Sequence, residues 1–159
     1  MTTSGNEQFD RVLLDLNAVV IAILRDHPGH EYLFPPVERG FEAESSLLVF
    51  DYYPLRAQYL LTKRYRVETH RARTAVQRFV RQPIQFVAAD RETILEAYEV
   101  SAERNHDVYD CFLVALARHH EADAILTTDT DFEELCRGEP FAYFNPVPED
   151  ILERFADAS

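Results

Sequence analysis

The chain has 159 residues, 47% of them hydrophobic, and we predict one domain over residues 1–159 with an ordered core from about 10 to 155. Its net charge of -12 excludes a surface that is basic throughout, as a general polyanion binder would need. No run approaches the roughly 18 apolar residues of a membrane-spanning helix, and residues 1–7 lack the cationic and apolar regions of a signal peptide, so we expect a cytoplasmic protein.

The apolar pattern of residues 11–81 predicts strands and helices in alternation. In chain order these are a strand over 11–16, a helix over 17–26, a helix within 30–44, a strand over 47–50, and helices over 54–65 and 69–81. Pro35 and Pro36 interrupt the second helix, and prolines are tolerated in a first turn, so we expect this helix to begin at the prolines. The inner face of the last helix is predicted to comprise Ala72, Val76, Phe79 and Val80.

The helices over 54–65 and 69–81 form a predicted pair that we call the basic hairpin. Residues 56–81 contain eight basic residues and one acid, a net charge of +7 that leaves -19 for the rest of the chain. This asymmetry predicts one element that meets a polyanion, and the alternative is a basic face that pairs with acids elsewhere. Lys63 is the only lysine, and scarce lysine with abundant acids resembles proteins from high-salt cytoplasms.

The alternation continues through the second half of the chain. The predicted elements are a strand over 84–87, a helix from a cap at Asp90 to Glu103, a buried helix headed by Asp110, a strand over 123–128, a helical turn over 132–135, a strand over 142–144 and a helix over 148–155. Strands that alternate with helices argue for an α/β domain, with a mainly parallel central sheet flanked by helices on both faces.

Aspartates stand where predicted strands end and where the buried helix begins. Asp15 lies at the end of the first strand, and Asp110 heads the helix. Asp129 and Asp131 follow the strand over 123–128. Open α/β sheets place their chemistry beyond the carboxyl ends of strands, and carboxylates are preferred ligands of Mg²⁺ and Mn²⁺. Because clustered carboxylates repel one another, their convergence would need a metal ion, raised pKa values or basic neighbours, and of these the pattern suggests a divalent-metal site.

Each acid also has an ordinary structural explanation. Asp15 or Asn17 could cap the first helix, and Asp129 could cap the helical turn at residue 132. Asp107 could cap the buried helix, with Asp110 as a favourable anion in its first turn. The joint occurrence of acids at two strand ends and one helix start favours the metal site over three separate caps.

Three short motifs occur in order along the chain. Residues 12–17 read V-L-L-D-L-N, residues 109–110 read Y-D before a small and apolar helix, and residues 126–132 read L-T-T-D-T-D-F. They resemble the opening V-x-x-D-x-N motif, the second half and the T-x-D-x-D-F ending of PIN domains, a family of metal-dependent ribonucleases. The resemblance reaches across nearly the whole chain.

The resemblance implies an endoribonuclease, in which Asp15, Asp110 and Asp129 hold Mg²⁺ or Mn²⁺ and act as the catalytic residues. It implies that Asp131 is an auxiliary acid and that Asn17 and Thr127 orient the ligands through hydrogen bonds. The RNA-binding residues would be Arg56, Lys63, Arg64, Arg66, Arg71 and Arg73 of the basic hairpin. Family membership further suggests a VapC-type toxin, with a cognate antitoxin and a second copy of the chain as further partners.

One position departs from the family pattern. PIN domains usually carry a glutamate on the helix after the second strand, where this chain has Gln58. A neutral amide binds a hard cation less well than a carboxylate, so either Asp51 supplies the missing charge or Gln58 contributes a carbonyl oxygen or an outer-shell bond, which is the interpretation we prefer. Two alternative functions are a weak or inactive PIN domain that binds RNA or protein, and another metal hydrolase of similar topology.

Overall fold

Strands and helices alternate along the chain in a computed structural model that describes residues 8–158. The strands are β1 (Arg11–Leu14), β2 (Ser46–Phe50), β3 (Ile84–Val87), β4 (Ala124–Leu126) and β5 (Ala142–Phe144). The helices are α1 (Leu16–Ile23), α2 (His30–Phe41), α3 (Tyr53–Lys63), α4 (Thr69–Val80), α5 (Arg91–Arg104), α6 (Val108–His119), α7 (Phe132–Leu135) and α8 (Glu149–Leu152), followed by a 3-10 helix (Glu153–Ala158). No helix within this part of the chain is long and apolar enough to cross a membrane.

The strands of residues 8–158 form one parallel sheet of five, in the order β3-β2-β1-β4-β5. This confirms the predicted α/β domain with a parallel central sheet. In the register of the central strand, Leu14 pairs with Val49 of β2 and with Leu126 of β4. Strands β1 and β4 therefore end at the same level, and the residues that follow them, Asp15 and Thr127, emerge side by side at the carboxyl edge of the sheet.

Alternate residues of the central strand feed two hydrophobic cores, one on each face of the sheet. Val12 and Leu14 pack into the core that α1 to α4 cover. Leu13 packs on the other face, with residues of α6 and α7. Since both faces of the inner strands β1, β2 and β4 are buried, these strands are runs of apolar residues, which explains why the sequence pattern located them.

The start of α2 differs from the prediction that this helix begins at its prolines. It begins at His30, which places Pro35 and Pro36 in the helix interior, where each removes a backbone donor. Tertiary packing offsets that loss, because Leu33 is fully buried and the His30 ring stacks on Phe34 with centroids 5.0 Å apart. The prediction was therefore wrong because local proline chemistry was outweighed by burial.

Other element boundaries agree with the sequence to different extents. The strands predicted over 84–87 and 142–144 and the helical turn over 132–135 are confirmed residue for residue. The first strand ends two residues early because Asp15 caps α1 instead of extending β1. Val80, which was predicted on the inner face of α4, is exposed.

Helix α2 approaches β2 closely at Gly40. A Cβ at this position would lie closer than 3.0 Å to the Cγ, Cδ1 and Cδ2 atoms of Leu47. We therefore expect Gly40→Ala to lower the free energy of unfolding by about 1–3 kcal/mol through overpacking. In a Leu47→Ala background the same substitution should be neutral or stabilising, because the obstructing side chain is gone and alanine is the better helix former by about 1 kcal/mol.

Urea denaturation of the wild type, the two single variants and the double variant measures this coupling. The Leu47→Ala background is the matched control, since it keeps the same helix and sheet. An equal cost of Gly40→Ala in both backgrounds would contradict the close approach.

Candidate metal centre

Asp15 is held in place from three sides at the carboxyl end of the sheet. Its backbone N–H donates to the Leu126 carbonyl at 3.0 Å, and its Oδ1 accepts from the Leu16 N–H at 2.7 Å. Its Oδ2 accepts from the Thr127 hydroxyl at 2.7 Å and from Asn17 Nδ2 at 3.1 Å. The residue is only 9% exposed. Asp15 therefore caps α1, as one interpretation expected, and also presents a fixed, buried carboxylate.

Asn17 and Thr127 tie the two strand ends together. The Asn17 Nδ2 donates to Thr127 Oγ1 at 3.1 Å, and the Asn17 Oδ1 accepts from the Thr128 N–H at 3.0 Å. The Asp129 N–H donates to Thr127 Oγ1 at 3.1 Å. The loop after β4, which carries Asp129, is therefore fixed against the loop after β1 by side chains that the sequence singled out as supports.

Three carboxylates converge beside this network. Oxygen atoms of Asp110, Asp129 and Asp131 lie within 4.8 Å of one another, close enough to share one cation. The Asp131 N–H donates to Asp129 Oδ1 at 3.0 Å in the turn before α7, and the Asp110 N–H donates to Asp107 Oδ1 at 3.0 Å in the first turn of α6. We call Asp110, Asp129 and Asp131 the carboxylate triad.

Asp15 belongs to the same site but does not complete a group of three at that distance. The sequence predicted Asp15, Asp110 and Asp129 as the central ligands and Asp131 as an auxiliary one. In the structure Asp131 takes the place of Asp15 among the converging oxygens, and both oxygens of Asp15 accept hydrogen bonds. The four predicted acids are thus brought to one site, where Asp15 interacts electrostatically with Asp110 and Asp129 without being one of the three that converge.

The electrostatics of the site are those of crowded carboxylates. Burial, followed by the charge of Asp129, raises the pKa of Asp15 to about 6 against the bonds it accepts. Burial likewise raises the pKa of Asp110 to about 6, with the charges of Asp129 and other acids adding to it and the His106 bond opposing it. Oxygen ligands with excess negative charge match a hard divalent cation, which would relieve the repulsion. The donor set therefore fits Mg²⁺ or Mn²⁺.

Two residues that sequence reasoning did not assign also contact the site. His106 Nε2 lies 2.9 Å from Asp110 Oδ2 and 4.0 Å from Asp131 Oδ2. Tyr53, the first residue of α3, is half-buried beside the acids, and desolvation followed by the charges of Asp15 and Asp110 raises the pKa of its phenol. Two sequence features could have identified them. His106 stands four residues before the candidate ligand Asp110, and Tyr53 is an aromatic residue just past the end of β2.

Gln58 and Asp51 remain outside the network of the described residues. Gln58 is half-buried on α3, and its backbone carbonyl accepts from the Thr62 hydroxyl at 3.2 Å. Asp51 is exposed and makes no side-chain cap on α3, and it joins no group of three ligand atoms within residues 8–158. Asp51 could also have been a helix cap, as the other acids could, and the structure shows no such cap.

The basic hairpin consists of α3 and α4, which pack against each other. Its six predicted RNA-binding residues are all exposed: Arg56, Lys63, Arg64, Arg66, Arg71 and Arg73. None of the six makes an ion pair with any residue in the described part of the chain. The alternative that this basic face is neutralised by acids elsewhere in the fold is thus contradicted for residues 8–158.

Comparisons with known proteins agree with this architecture. The family model described as PIN domain matches residues 12–138. A crystal structure of VapC20 from Mycobacterium tuberculosis, described as a toxin that cleaves the sarcin–ricin loop, has a TM-score of 0.61 at 14% identity, covering 78% of this chain and 94% of that one. VapBC2 from Rickettsia felis, bound to a DNA fragment from its promoter, has a TM-score of 0.65 at 15% identity, with 85% and 98% covered. No curated protein matches the chain.

The burial of Asp15 predicts a stability that depends on pH in the absence of metal. Its folded pKa of about 6 lies above the ordinary value of 3.8, so protonation favours the folded state. This stabilisation is complete below pH 3.8 and is lost as the pH rises through about 6. The loss amounts to roughly 3 kcal/mol at pH 7. Asp15→Asn should therefore lose less unfolding free energy than the wild type between pH 4 and pH 7.

Urea denaturation in EDTA across this range tests the prediction, because the difference between wild type and variant reports Asp15 together with its effect on the pKa of Asp110. Asp26→Asn, at an exposed aspartate after α1, is the matched control and should follow the wild-type profile. Parallel profiles for Asp15→Asn and the wild type would show that burial of this carboxylate has no energetic consequence.

Proposed function

The chain belongs to the PIN domain family, and on that premise we propose that it is a divalent-metal-dependent endoribonuclease. The observation that carries the proposal is the carboxylate triad of Asp110, Asp129 and Asp131, which converges beside buried Asp15 at the carboxyl edge of the sheet. Ligands in open α/β sheets bind beyond this edge. The exposed, unpaired basic hairpin provides the positive charge that a polyphosphate substrate requires.

The carboxylate triad, with Asp15 behind it, would hold Mg²⁺ or Mn²⁺. When bound, such an ion acidifies an attacking water and polarises the phosphodiester. The residues of this chain position the site: Thr127 and Asn17 fix the Asp15 carboxylate, and the His106 ring fixes that of Asp110. Arg56 and the other exposed cations of the basic hairpin would contact phosphates and orient the strand that is cut.

We further propose that the chain is the toxin of a VapBC-like pair, with a cognate antitoxin as its protein partner. The support is the likeness of fold to VapC20 and to VapBC2 over most of both chains. Induced expression of the chain alone should arrest bacterial growth, and an Asp129→Asn variant should not. If expression of the wild type and of the Asp129→Asn variant both arrested growth, toxicity would not depend on the proposed cleavage.

A second candidate function is favoured by Gln58. If the amide weakens the metal site enough, the domain binds RNA or protein without cutting it. That function predicts association with RNA that does not require a divalent ion, whereas the ribonuclease requires one for turnover.

Cleavage of single-stranded RNA should occur with Mg²⁺ or Mn²⁺ and stop in EDTA. Asp129→Asn should reduce the rate by more than about 100-fold, because it removes a proposed ligand. Thr127→Val keeps every carboxylate and removes the hydroxyl that positions Asp15, so a loss of about 10- to 100-fold in metal affinity is expected. Gel assays of a labelled oligonucleotide across a metal titration measure both effects.

Asp150→Asn, at an exposed aspartate of α8, is the control for loss of a negative charge and should cleave like the wild type. Cleavage that survives Asp129→Asn, or that proceeds in EDTA, would overturn the proposed mechanism.

Gln58→Glu should raise metal affinity and turnover, because a carboxylate binds hard cations better than an amide does. Isothermal titration with Mn²⁺ and the cleavage assay report the two quantities separately. Gln77→Glu, at an exposed glutamine of α4, controls for the added charge. A response no larger than that of Gln77→Glu would place residue 58 outside the metal site.

A further inference from the structure

The His106 ring lies among three carboxylates. Its Nε2 atom is 2.9 Å from Asp110 Oδ2, 3.9 Å from Asp107 Oδ2 and 4.0 Å from Asp131 Oδ2. One N–H group makes a good hydrogen bond to the nearest of these oxygens only, because the other two distances exceed hydrogen-bond length. The ring nitrogen therefore faces a group of carboxylates, two of which belong to the carboxylate triad.

These separations agree with those between the ligands of one metal ion. Divalent ions bind carboxylate oxygens and imidazole nitrogens at about 2.0–2.2 Å. At octahedral angles, adjacent ligand atoms are therefore roughly 3.0 Å apart and opposite ones roughly 4.2 Å apart. The distances of 2.9 Å and 4.0 Å from His106 Nε2 to the Asp110 and Asp131 oxygens match these two values. The nitrogen and the carboxylates are thus spaced to share an ion.

The main chain fixes His106 independently of its ring. Its N–H donates to the Ser101 carbonyl at 3.2 Å, and its own carbonyl accepts from the Ser101 hydroxyl and, at 3.9 Å, from the Cys111 thiol. Asn105, the preceding residue, ends α5 in the left-handed conformation with a φ of 50°. Asparagine tolerates this conformation better than most residues do. A donor on a backbone fixed in this way needs little reorganisation to bind an ion.

A nitrogen donor changes which ions a carboxylate site prefers. Mg²⁺ is a hard ion that takes oxygen ligands, whereas first-row transition ions also accept imidazole. The affinity of a mixed nitrogen and oxygen site rises from Mn²⁺ through Fe²⁺ to Co²⁺. The carboxylate triad alone suits Mg²⁺ and Mn²⁺ alike, so His106 is the group at this site that can distinguish between them.

We propose that His106 ligates the ion through Nε2 and makes the metal centre selective for transition-metal ions such as Mn²⁺ over Mg²⁺. The proposal rests on the ribonuclease function above and specifies the class of ion at that same site. The imidazole binds as the tautomer that carries its proton on Nδ1. The hydrogen bond between His106 and Asp110 is then replaced by a bond from each of them to the ion.

A histidine that only oriented Asp110 would have a different signature. It would keep its hydrogen bond to Asp110 when the ion is bound, and the amide of a glutamine could donate in its place. Its loss would weaken Mn²⁺ and Mg²⁺ binding alike, because both ions would use the same carboxylates. The ratio of the two affinities therefore separates a ligand from a positioning residue.

The first test is isothermal titration of the full chain with Mn²⁺ and with Mg²⁺. His106→Gln should weaken Mn²⁺ binding by about 10-fold or more and Mg²⁺ binding by less than about 3-fold. His106→Glu offers oxygen instead of nitrogen, so it should strengthen Mg²⁺ binding and lower the preference for Mn²⁺. His70→Gln, at an exposed histidine of α4, is the matched control and should bind both ions like the wild type.

The second test is electron spin-echo envelope modulation of bound Mn²⁺, which detects nitrogen ligands without any turnover. The wild type and His70→Gln should show the nitrogen coupling of a directly bound imidazole, and His106→Gln should lack it. This spectrum reports the ligand itself, so it does not depend on how much affinity each substitution removes.

An oxygen-only spectrum in the wild type, or nitrogen coupling that persists in His106→Gln, would overturn the proposal. An equal loss of Mn²⁺ and Mg²⁺ affinity in His106→Gln would also overturn it and would leave His106 as a positioning residue. Nitrogen-coupled Mn²⁺ without cleavage of RNA would support His106 as a ligand while the ribonuclease proposal fails. Metal-dependent cleavage by a protein whose Mn²⁺ has oxygen ligands only would do the reverse.

Discussion

The site depends on one hydrogen bond, which the Thr127 hydroxyl donates to the Asp15 carboxylate at the ends of two adjacent parallel strands. The pairing of Leu14 with Leu126 brings the two residues to the same level, and the hydroxyl then joins them across the gap. Asn17 bonds to both residues, so the loops after β1 and β4 are fixed relative to each other. The loop after β4, which carries Asp129 and Asp131, is held against the loop after β1 through this link and through the bond that the Thr128 N–H donates to Asn17.

The acids at the carboxyl edge of the sheet are electrostatically unfavourable for the fold. It buries Asp15 and gathers three more carboxylates beside it, and the pKa values of Asp15 and Asp110 rise to about 6 as a result. A protein needs no such arrangement for stability, because buried acids without a cation weaken the fold near neutral pH. The arrangement makes physical sense as a cation site, because a bound cation would supply positive charge to carboxylates that are surrounded by apolar residues.

Much of this could be predicted from the sequence because both sheet faces are buried. Runs of buried apolar residues located β1, β2 and β4, and acids just past strand ends indicated the site. The start of α2 could not be predicted, because the burial that overrides Pro35 and Pro36 is a long-range effect. Distances within the site could not be predicted either. Sequence order shows which strand an acid follows, but not how far its carboxylate lies from the other carboxylates. Only the packing of the helices shows that Asp131 joins the converging oxygens. The same holds for the positions of Tyr53 and His106 beside them.

The central claim is that these acids bind one divalent cation at the carboxyl edge of the sheet. Anomalous diffraction from crystals soaked in Mn²⁺ tests it most directly, because the signal comes from the ion alone. The account predicts a peak bounded by the carboxylates of Asp110, Asp129 and Asp131, with Asp15 behind it. A fully soaked crystal with no peak at this site, or with manganese bound only elsewhere, would contradict it.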